Sequence, residues 1–252
     1  MRLLITGLSG TLAPHLARAA RAAGHEALAW DRTALPPHDV QSGQAWLDAL
    51  RPDAIAHLAM GAPEWASRLA ACAARWQRPF IFTSTAMVFH HKPDGPHAPG
   101  DERSACDDYG RYKIACEDAV RAAHPGAVVA RIGWQIDEGA QGNNMLAHLD
   151  QWQARDGRIG ASRAWQPACS FMADTAAALL ALIETPRPGV IHLDSNASEG
   201  HRFDAIVAAL AQRFERAHWV IAANDDYRHD QRLVGHQALM PPLSQRLPGL
   251  RP

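Results

Sequence analysis

Arg2-Leu3-Leu4-Ile5-Thr6-Gly7-Leu8-Ser9-Gly10-Thr11-Leu12-Ala13 is the stretch whose reading decides the fold. A short apolar run leads into a glycine turn, and an Ala/Arg-rich helical segment follows at once and ends near Gly24. Strand, turn and helix in immediate succession make the glycine pattern meaningful. Gly7 and Gly10 permit a tight turn and close backbone approach to a pyrophosphate, which the N–H groups and dipole at the helix start would favour. Ala13 stands where a third glycine commonly sits and is small enough for helix–strand packing. The bland alternative is a turn that binds nothing.

Working outward, residues 26–30 read as a second strand that ends in Asp31-Arg32. A carboxylate about 20 positions past the glycines is placed to accept hydrogen bonds from an adenosine ribose diol. Arg32 would instead suit a 2′-phosphate, so the pair leaves NAD and NADP both open. A Pro-containing loop carries Asp39-Val40, and residues 45–50 form a helical stripe broken at Arg51-Pro52-Asp53. Then come a strand at 54–59, a helix at about 64–76, a strand at 80–84 and, after the Tyr109 segment, a strand at 128–131. This alternation predicts an α/β fold with a doubly wound parallel (Rossmann) sheet and right-handed crossovers. Ligands in such sheets lie at the carboxyl ends of the strands, and Gly7, Asp31, Ala59, Thr85 and Trp134 are all expected just past strand ends.

Tyr109-Gly110-Arg111-Tyr112-Lys113 opens the helix that precedes the 128–131 strand. The chain has three tyrosines and only two lysines, the remaining 23 of its 25 Lys and Arg residues being arginine. Residues four apart share a helix face, so the phenol of Tyr109 and the ammonium of Lys113 converge. A nearby cation favours phenolate, and lowering a Tyr pKa from ~10 toward neutrality takes about 4 kcal/mol of differential stabilisation. That would make the hydroxyl a general acid/base. The alternative is a tyrosine packed on its neighbours with Lys113 in solvent. On helix propensity alone, Lys113→Arg is expected to leave folding nearly unchanged.

At 252 residues the chain can bury a substantial core. A formal net charge of −1 argues for neither nucleic acid nor an anionic membrane as partner. The four cysteines show no CxxC spacing and suit a reducing cytoplasm. No stretch approaches a membrane span, and His90-His91 with His97 lacks metal-ligand spacing, so no metal is expected. Residues 202–214 have the apolar stripe of an amphipathic helix, and a proline-rich tail runs from 240 to 252.

Thr6-Gly7-Leu8-Ser9-Gly10, Asp31, Asp39-Val40, His57-Leu58-Ala59, Ser84-Thr85-Ala86-Met87-Val88-Phe89 and the Tyr109–Lys113 segment occur in order and with fitting spacing. Together they resemble the extended short-chain dehydrogenases/reductases that act on sugar nucleotides. The resemblance implies catalytic roles for Thr85, Tyr109 and Lys113. It implies cofactor contacts from Gly7, Ser9, Gly10, Thr11 and Leu12, from Asp31 and Arg32, from Asp39 and Val40 at the adenine, from Leu58, Ala59 and Met60, and from Tyr109 and Lys113. Arg131-Ile132-Gly133-Trp134 and Gly142-Asn143-Asn144-Met145-Leu146-Ala147 are similar to the sugar-site segment of the dTDP-4-dehydrorhamnose reductase subfamily. That likeness implies substrate contacts from Trp134 and Asn143 beside Thr85. The chain departs from this subfamily at Ala164-Trp165-Gln166-Pro167-Ala168-Cys169-Ser170 and at Phe89-His90-His91-Lys92.

The expected organisation is a dinucleotide-binding domain over 1–142 and a small substrate lobe over 143–252, with about 171–195 returning to the main sheet. The expected activity is hydride transfer between NAD or NADP and a keto group of a nucleotide sugar, in a cytoplasmic protein open to forming a homodimer. An NAD-dependent epimerase using the same triad and a non-catalytic dinucleotide sensor are the alternatives. A dehydratase ranks lower, because Ala86 stands where that group carries an acid.

Overall fold

The computed structural model describes residues 1–139 and 142–250; the last two residues of the proline-rich tail lie outside them. In chain order the first elements are β1 (Arg2–Thr6), α1 (Ala13–Ala22), β2 (Glu26–Ala29), α2 (Val40–Leu50), β3 (Ala54–His57) and α3 (Pro63–Arg75). Next come β4 (Phe80–Thr85), α4 (Asp108–Ala123), β5 (Val128–Ile132), β6 (Trp134–Ile136), α5 (Met145–Asp156) and β7 (Ile159–Ser162). The chain finishes with β8 (Trp165–Gln166), β9 (Cys169–Phe171), α6 (Met172–Glu184), β10 (Gly189–Leu193), α7 (Phe203–Arg213), β11 (Ile221–Asn224), β12 (His229–Asp230) and α8 (Leu243–Arg246).

Two compact units divide these elements. One comprises Met1–Ser84, Asp107–Ala130 and Ala176–Ile191; the other comprises Thr85–Cys106, Arg131–Thr175 and the chain from His192 onward. The division departs from a boundary at 142, because residues 85–106 and 131–142 fall in the second unit. Backbone pairing accounts for the first segment. Ser104 and Ala105 N–H both donate to Val88 O, closing the loop on itself. His97 N–H donates to Arg232 O and accepts Val234 N–H at its own carbonyl, so the loop pairs with residues far along the chain.

The first unit is built on a sheet of six strands among the described residues, in the order β10-β5-β4-β3-β1-β2. β1 pairs in parallel with both β2 and β3, and β3 in parallel with β4. The chain leaves β1 for β2 on one side and crosses back to β3 on the other, so strand order reverses at β1 and β3. Their carboxyl ends define the switch-point crevice of an open α/β sheet. β3 and β4 are buried at every residue, as expected of strands covered by helices on both faces. Leu4, Ile55, Leu69, Phe80, Phe82 and Val129 lie in this core. Three of its helices start at a proline or a capping carboxylate. Pro63 occupies the first turn of α3, Asp39 caps α2 by accepting from Ser42 N–H at 3.0 Å, and Asp107 caps α4 by accepting from Gly110 N–H at 2.8 Å.

Among the described residues the second unit holds three parallel strand pairs, β6–β9, β7–β11 and β8–β12. Ile136, Leu146, Leu149, Ile159, Phe203 and Leu210 form its core with α5 and α7. Asp194 is fully enclosed and accepts three backbone N–H bonds, from Cys169, Asn196 and Leu233. Burial pushes its carboxyl up to about 7 despite those donors.

One hydroxyl closes the switch point of the first unit. Thr6, the last residue of β1, is fully buried, and its Oγ1 accepts from Leu58 N–H and Ala59 N–H at 3.1 Å each. With both lone pairs used, its proton goes to His57 Nδ1 at 2.8 Å. That ring can accept, because burial holds its pKa down to about 3 and keeps it neutral. Thr6→Val keeps the shape and removes all three bonds, leaving the buried Ala59 N–H and the half-buried Leu58 N–H without this acceptor. The expected loss is about 3 kcal/mol of unfolding free energy, measured by urea denaturation. Thr6→Ser, which keeps the hydroxyl, is expected to lose no more than about 1.5 kcal/mol.

Candidate dinucleotide cradle and active site

The crevice above β1 and β3 is lined by the glycine turn. Gly7 has φ +86°, and a Cβ there would stand 3.0 Å from Ala59 N. Only glycine meets both constraints, and the turn is closed by Gly10 N–H donating to Gly7 O at 2.8 Å. Leu12 begins α1 without a side-chain cap, and no acidic residue sits in the first turn. The helix start therefore presents N–H groups and the positive dipole end with no competing carboxylate, as a pyrophosphate requires. Ser9 is exposed on this turn and Thr11 half-buried, while Leu12 is buried beneath it.

At the end of β2, Asp31 Oδ1 accepts from Thr33 N–H at 2.8 Å and Ala34 N–H at 3.3 Å, fixing the turn that carries the carboxylate. Arg32 is tethered: its guanidinium donates to Met60 O at 3.1 Å and lies 5.5 Å from the centroid of the Trp65 ring. That bond joins two of the expected cofactor residues across the ends of β2 and β3. Met60 is 48% exposed beside Ala59, which is buried. Asp39 and Val40 line a recess with Trp30, Gly43, Trp65 and Arg68. Asp39 is also the α2 cap, and its hydrogen bond from Ser42 N–H holds its carboxyl below the usual range.

Tyr109 and Lys113 both project from one face of α4, at opposite depths. Tyr109 is 41% exposed and Lys113 only 4%. The ammonium donates to Thr83 O of β4 at 2.9 Å and lies 4.8 Å from the Phe82 ring, 5.7 Å from Tyr112 and 5.9 Å from Tyr109. Lys113 is therefore not in solvent, and an arginine at this place would strain the core. Burial brings its pKa down to about 8, against the opposing influence of Cys116 and Glu117. Tyr112 is the other phenol of the motif, and it is committed elsewhere. Its hydroxyl donates to Gly61 O at 2.8 Å and accepts from Gly61 N–H at 3.1 Å, and burial pushes it up to about 12. Tyr109 is thus the tyrosine of the pair that stands exposed beside the ammonium.

Thr85 is the last residue of β4 and the first of the second unit. Its Oγ1 accepts from Met87 N–H at 3.1 Å, capping the short turn at Ala86–Val88. In that unit Trp134 follows the end of β5 at Ile132, as expected, but it is not free-standing. It starts β6 and lies in an aromatic cluster, with ring centroids 6.1 Å from Phe203, 6.2 Å from Trp165 and 6.0 Å from Trp152. His148 of α5 links the two expected substrate residues: its ring is 5.7 Å from Trp134 and its Nε2 meets Asn143 Oδ1 at 3.3 Å. Sequence reasoning did not single out His148, Trp65, Ser84 or Glu117. Ser84 stood in a motif of the resemblance with no role of its own, the other three belong to no spaced motif, and each acquires its place through tertiary contacts. Among the described residues no group of His, Cys, Asp or Glu could hold a metal ion, and no helix is long and apolar enough to cross a membrane.

Fold and cradle together define a doubly wound α/β protein of the dinucleotide-binding type. The chain belongs to the family described as RmlD substrate binding domain, whose model matches residues 63–228. Two curated relatives are dTDP-4-dehydrorhamnose reductases. That of Mycolicibacterium smegmatis is 30% identical over 220 residues, covering 81% of this chain and 66% of the relative. That of Mycobacterium tuberculosis is 32% identical over 212 residues, covering 76% and 69%. The chain thus spans about two thirds of the length of these relatives. The crystal structure of a dTDP-4-dehydrorhamnose reductase from Bacillus anthracis in complex with NADP superposes with TM-score 0.80 at 18% identity, covering 99% of this chain and 96% of that one.

The burial of Lys113 has a measurable consequence. Its folded pKa of about 8 lies below the ordinary lysine value of 10.5, so between these pH values the unfolded chain binds more protons. Unfolding free energy therefore rises with pH across that window, and the cost of burying the charge is present in full below pH ~8. The gain is on the order of 3 kcal/mol. Urea unfolding from pH 7 to 10.5, compared between the parent and Lys113→Met, is expected to show the rise in the parent and its absence in the variant.

Proposed function

We propose that the protein is an NAD(P)-dependent reductase of a keto group on a nucleotide-linked sugar, with Thr85, Tyr109 and Lys113 as its catalytic residues. The observation that carries this reading is Lys113: one of two lysines in the chain, buried, and held against Thr83 O beneath the exposed Tyr109. A surface helix needs no such arrangement. A buried ammonium beside an accessible phenol is what acid/base use of that phenol requires.

The glycine cradle fits a dinucleotide, because Gly7 leaves open the space a Cβ would fill. Gly7, Ser9, Gly10, Thr11 and Leu12 would hold the pyrophosphate, Asp31 and Arg32 the adenosine ribose, and Asp39 and Val40 the adenine at their recess. Leu58, Ala59 and Met60 would border the dinucleotide at the end of β3. When bound, NADH or NADPH supplies the hydride. Tyr109 delivers the proton to the substrate oxygen, and Thr85 hydrogen-bonds that oxygen and orients it. Lys113 would favour the phenolate and donate to the nicotinamide ribose. Trp134 and Asn143, both in contact with His148, are the sugar contacts of this reading. The curated relatives are named for the same class of reaction, which supports it.

The direct test is to incubate the protein with NADH or NADPH and a panel of nucleotide-linked keto sugars while following nicotinamide absorbance. A stoichiometric fall is expected. A flat trace with interconverted sugars would identify an epimerase, and binding of the dinucleotide without turnover would identify a sensor.

Two variants sharpen the reading. Tyr109→Phe is expected to fold normally, because the residue is exposed, and to lose on the order of 10²–10⁴ in turnover. Lys113→Arg keeps the charge, but its longer planar head cannot occupy the site over Phe82 without displacing neighbours. A hundredfold loss of turnover is expected, with about 1–3 kcal/mol of lost stability. Turnover within a few-fold of the parent would defeat the Tyr–Lys assignment.

The cofactor assignment is tested through Asp31. Asp31→Ala is expected to weaken NADH roughly ten- to hundredfold in a fluorescence titration, from a lost charged hydrogen bond of ~1.5–3 kcal/mol. The same change loosens the 31–34 turn for both cofactors equally, so the ratio of NADH to NADPH affinity isolates the ribose contact. An unchanged ratio would remove Asp31 from the diol.

A further inference from the structure

Tyr109, Lys113 and Glu117 recur at intervals of four along α4, which stacks all three on one helix face. The third member lies deepest. Glu117 is 0% exposed, and Ser84 Oγ donates to its Oε1 at 2.5 Å. Ser84 is the residue immediately before Thr85, and Lys113 is bonded to the carbonyl of Thr83 just upstream. Two successive residues of β4 are therefore gripped by two successive turns of α4, one through an ammonium and one through a carboxylate. A buried acid one helical turn from a buried lysine is costly to keep unless the two charges offset each other.

We propose that Glu117 is a positioning residue: its buried carboxylate is the standing counter-charge that keeps Lys113 an ammonium, and through Ser84 it fixes the end of β4 that carries Thr85. The proposal rests on the Tyr–Lys reading for its catalytic meaning. The other buried titratable groups around Lys113 cannot take this part. Tyr109 and Tyr112 lie on α4, and burial pushes Tyr112 up to about 12, so its phenol carries no charge near neutrality. Burial also raises the thiol of Cys116 on the same helix, leaving it protonated. On β3, His57 is neutral, with a pKa held down to about 3 by burial and by Lys113 itself. β4 offers Lys113 the Thr83 carbonyl and the Phe82 ring, neither of which titrates. Among the buried groups around Lys113, Glu117 is the one left to supply negative charge, and it opposes the desolvation of the ammonium.

Having only two lysines makes the test clean. Lysine labelled with ¹³C at Cε gives two resonances in the full-length protein, and Lys92, which is exposed, serves as the internal reference. Glu117→Gln keeps the size and an acceptor for Ser84 but removes the charge. The expected result is that the Lys113 titration falls by about one pH unit or more while Lys92 does not move. The loss of NADPH affinity on the alkaline side should shift to lower pH by the same amount. Glu117→Asp, which retains the charge, should restore most of the parent titration. An unmoved Lys113 resonance in Glu117→Gln overturns the proposal.

If the Gln variant does not fold, Ser84→Ala makes the same comparison. Stripping the carboxylate of its hydroxyl donor favours its protonated form, so Lys113 should titrate lower by a smaller step, and no step overturns the proposal. NADPH titration of Lys113→Met separates this inference from the function it rests on. If that variant binds NADPH as the parent does while Glu117→Gln still lowers the Lys113 titration, the cofactor role of Lys113 fails and the counter-charge stands. If Lys113→Met loses NADPH while Glu117→Gln leaves Lys113 unmoved, the reverse holds.

Discussion

The first unit depends on the hydroxyl of Thr6. A parallel sheet whose strand order reverses has a gap at the reversal, where the ends of β1 and β3 must be held in register without a connecting turn. Thr6 Oγ1 accepts two backbone N–H groups of the β3 exit and donates to a histidine that burial keeps neutral. Every hydrogen-bonding capacity of the group is used, and none is exchanged with water. The glycine turn sits directly on this tie: Ala59, fixed by Thr6, is the residue that a side chain at position 7 would strike. One buried polar group thus links the sheet core to the shape of the crevice above it.

The chemistry proposed for the first unit follows the same logic of depth along a helix. On α4 an exposed phenol, a buried ammonium and a buried carboxylate occupy successive turns. Exposure falls in the order in which charge must be held more firmly. The phenol has to reach a substrate, whereas the ammonium works by staying in place. Tyr112, one residue before Lys113, shows what the same side chain becomes when the backbone of Gly61 uses both of its hydrogen-bonding directions. The contrast between these two tyrosines is set by their neighbours in space.

Much of this was legible in the residues. The glycine turn between an apolar run and a helix located β1, its crevice and α1. Alternating β and α segments led to the doubly wound sheet, and the helical stripe of 202–214 appears as α7. The spacing of Tyr109 and Lys113 placed them on one helix face. The unit boundary was less accessible, because residues 85–106 join the second unit through backbone pairing with residues 232–234, and no local pattern announces a partner more than a hundred residues away. Trp134 does lie just past the end of β5, as read, but its place among Trp152, Trp165 and Phe203 comes from packing.

The sequence by itself determined those features that depend on neighbours along the chain: the strand–turn–helix cradle, the caps at Asp39 and Asp107, and the face shared by residues four apart. Each is settled by φ/ψ preference or by hydrogen bonds that reach only a few residues. Tertiary structure alone decided burial and charge state. Lys113 could have stood in solvent on sequence grounds, and Lys113→Arg was expected to spare folding. Packing against Phe82, a bond to Thr83 O and a buried Glu117 make it a fixed interior cation instead. The physical reason is that desolvation depends on every atom that closes over a group, and those atoms come from strands and helices that meet only when the chain has folded.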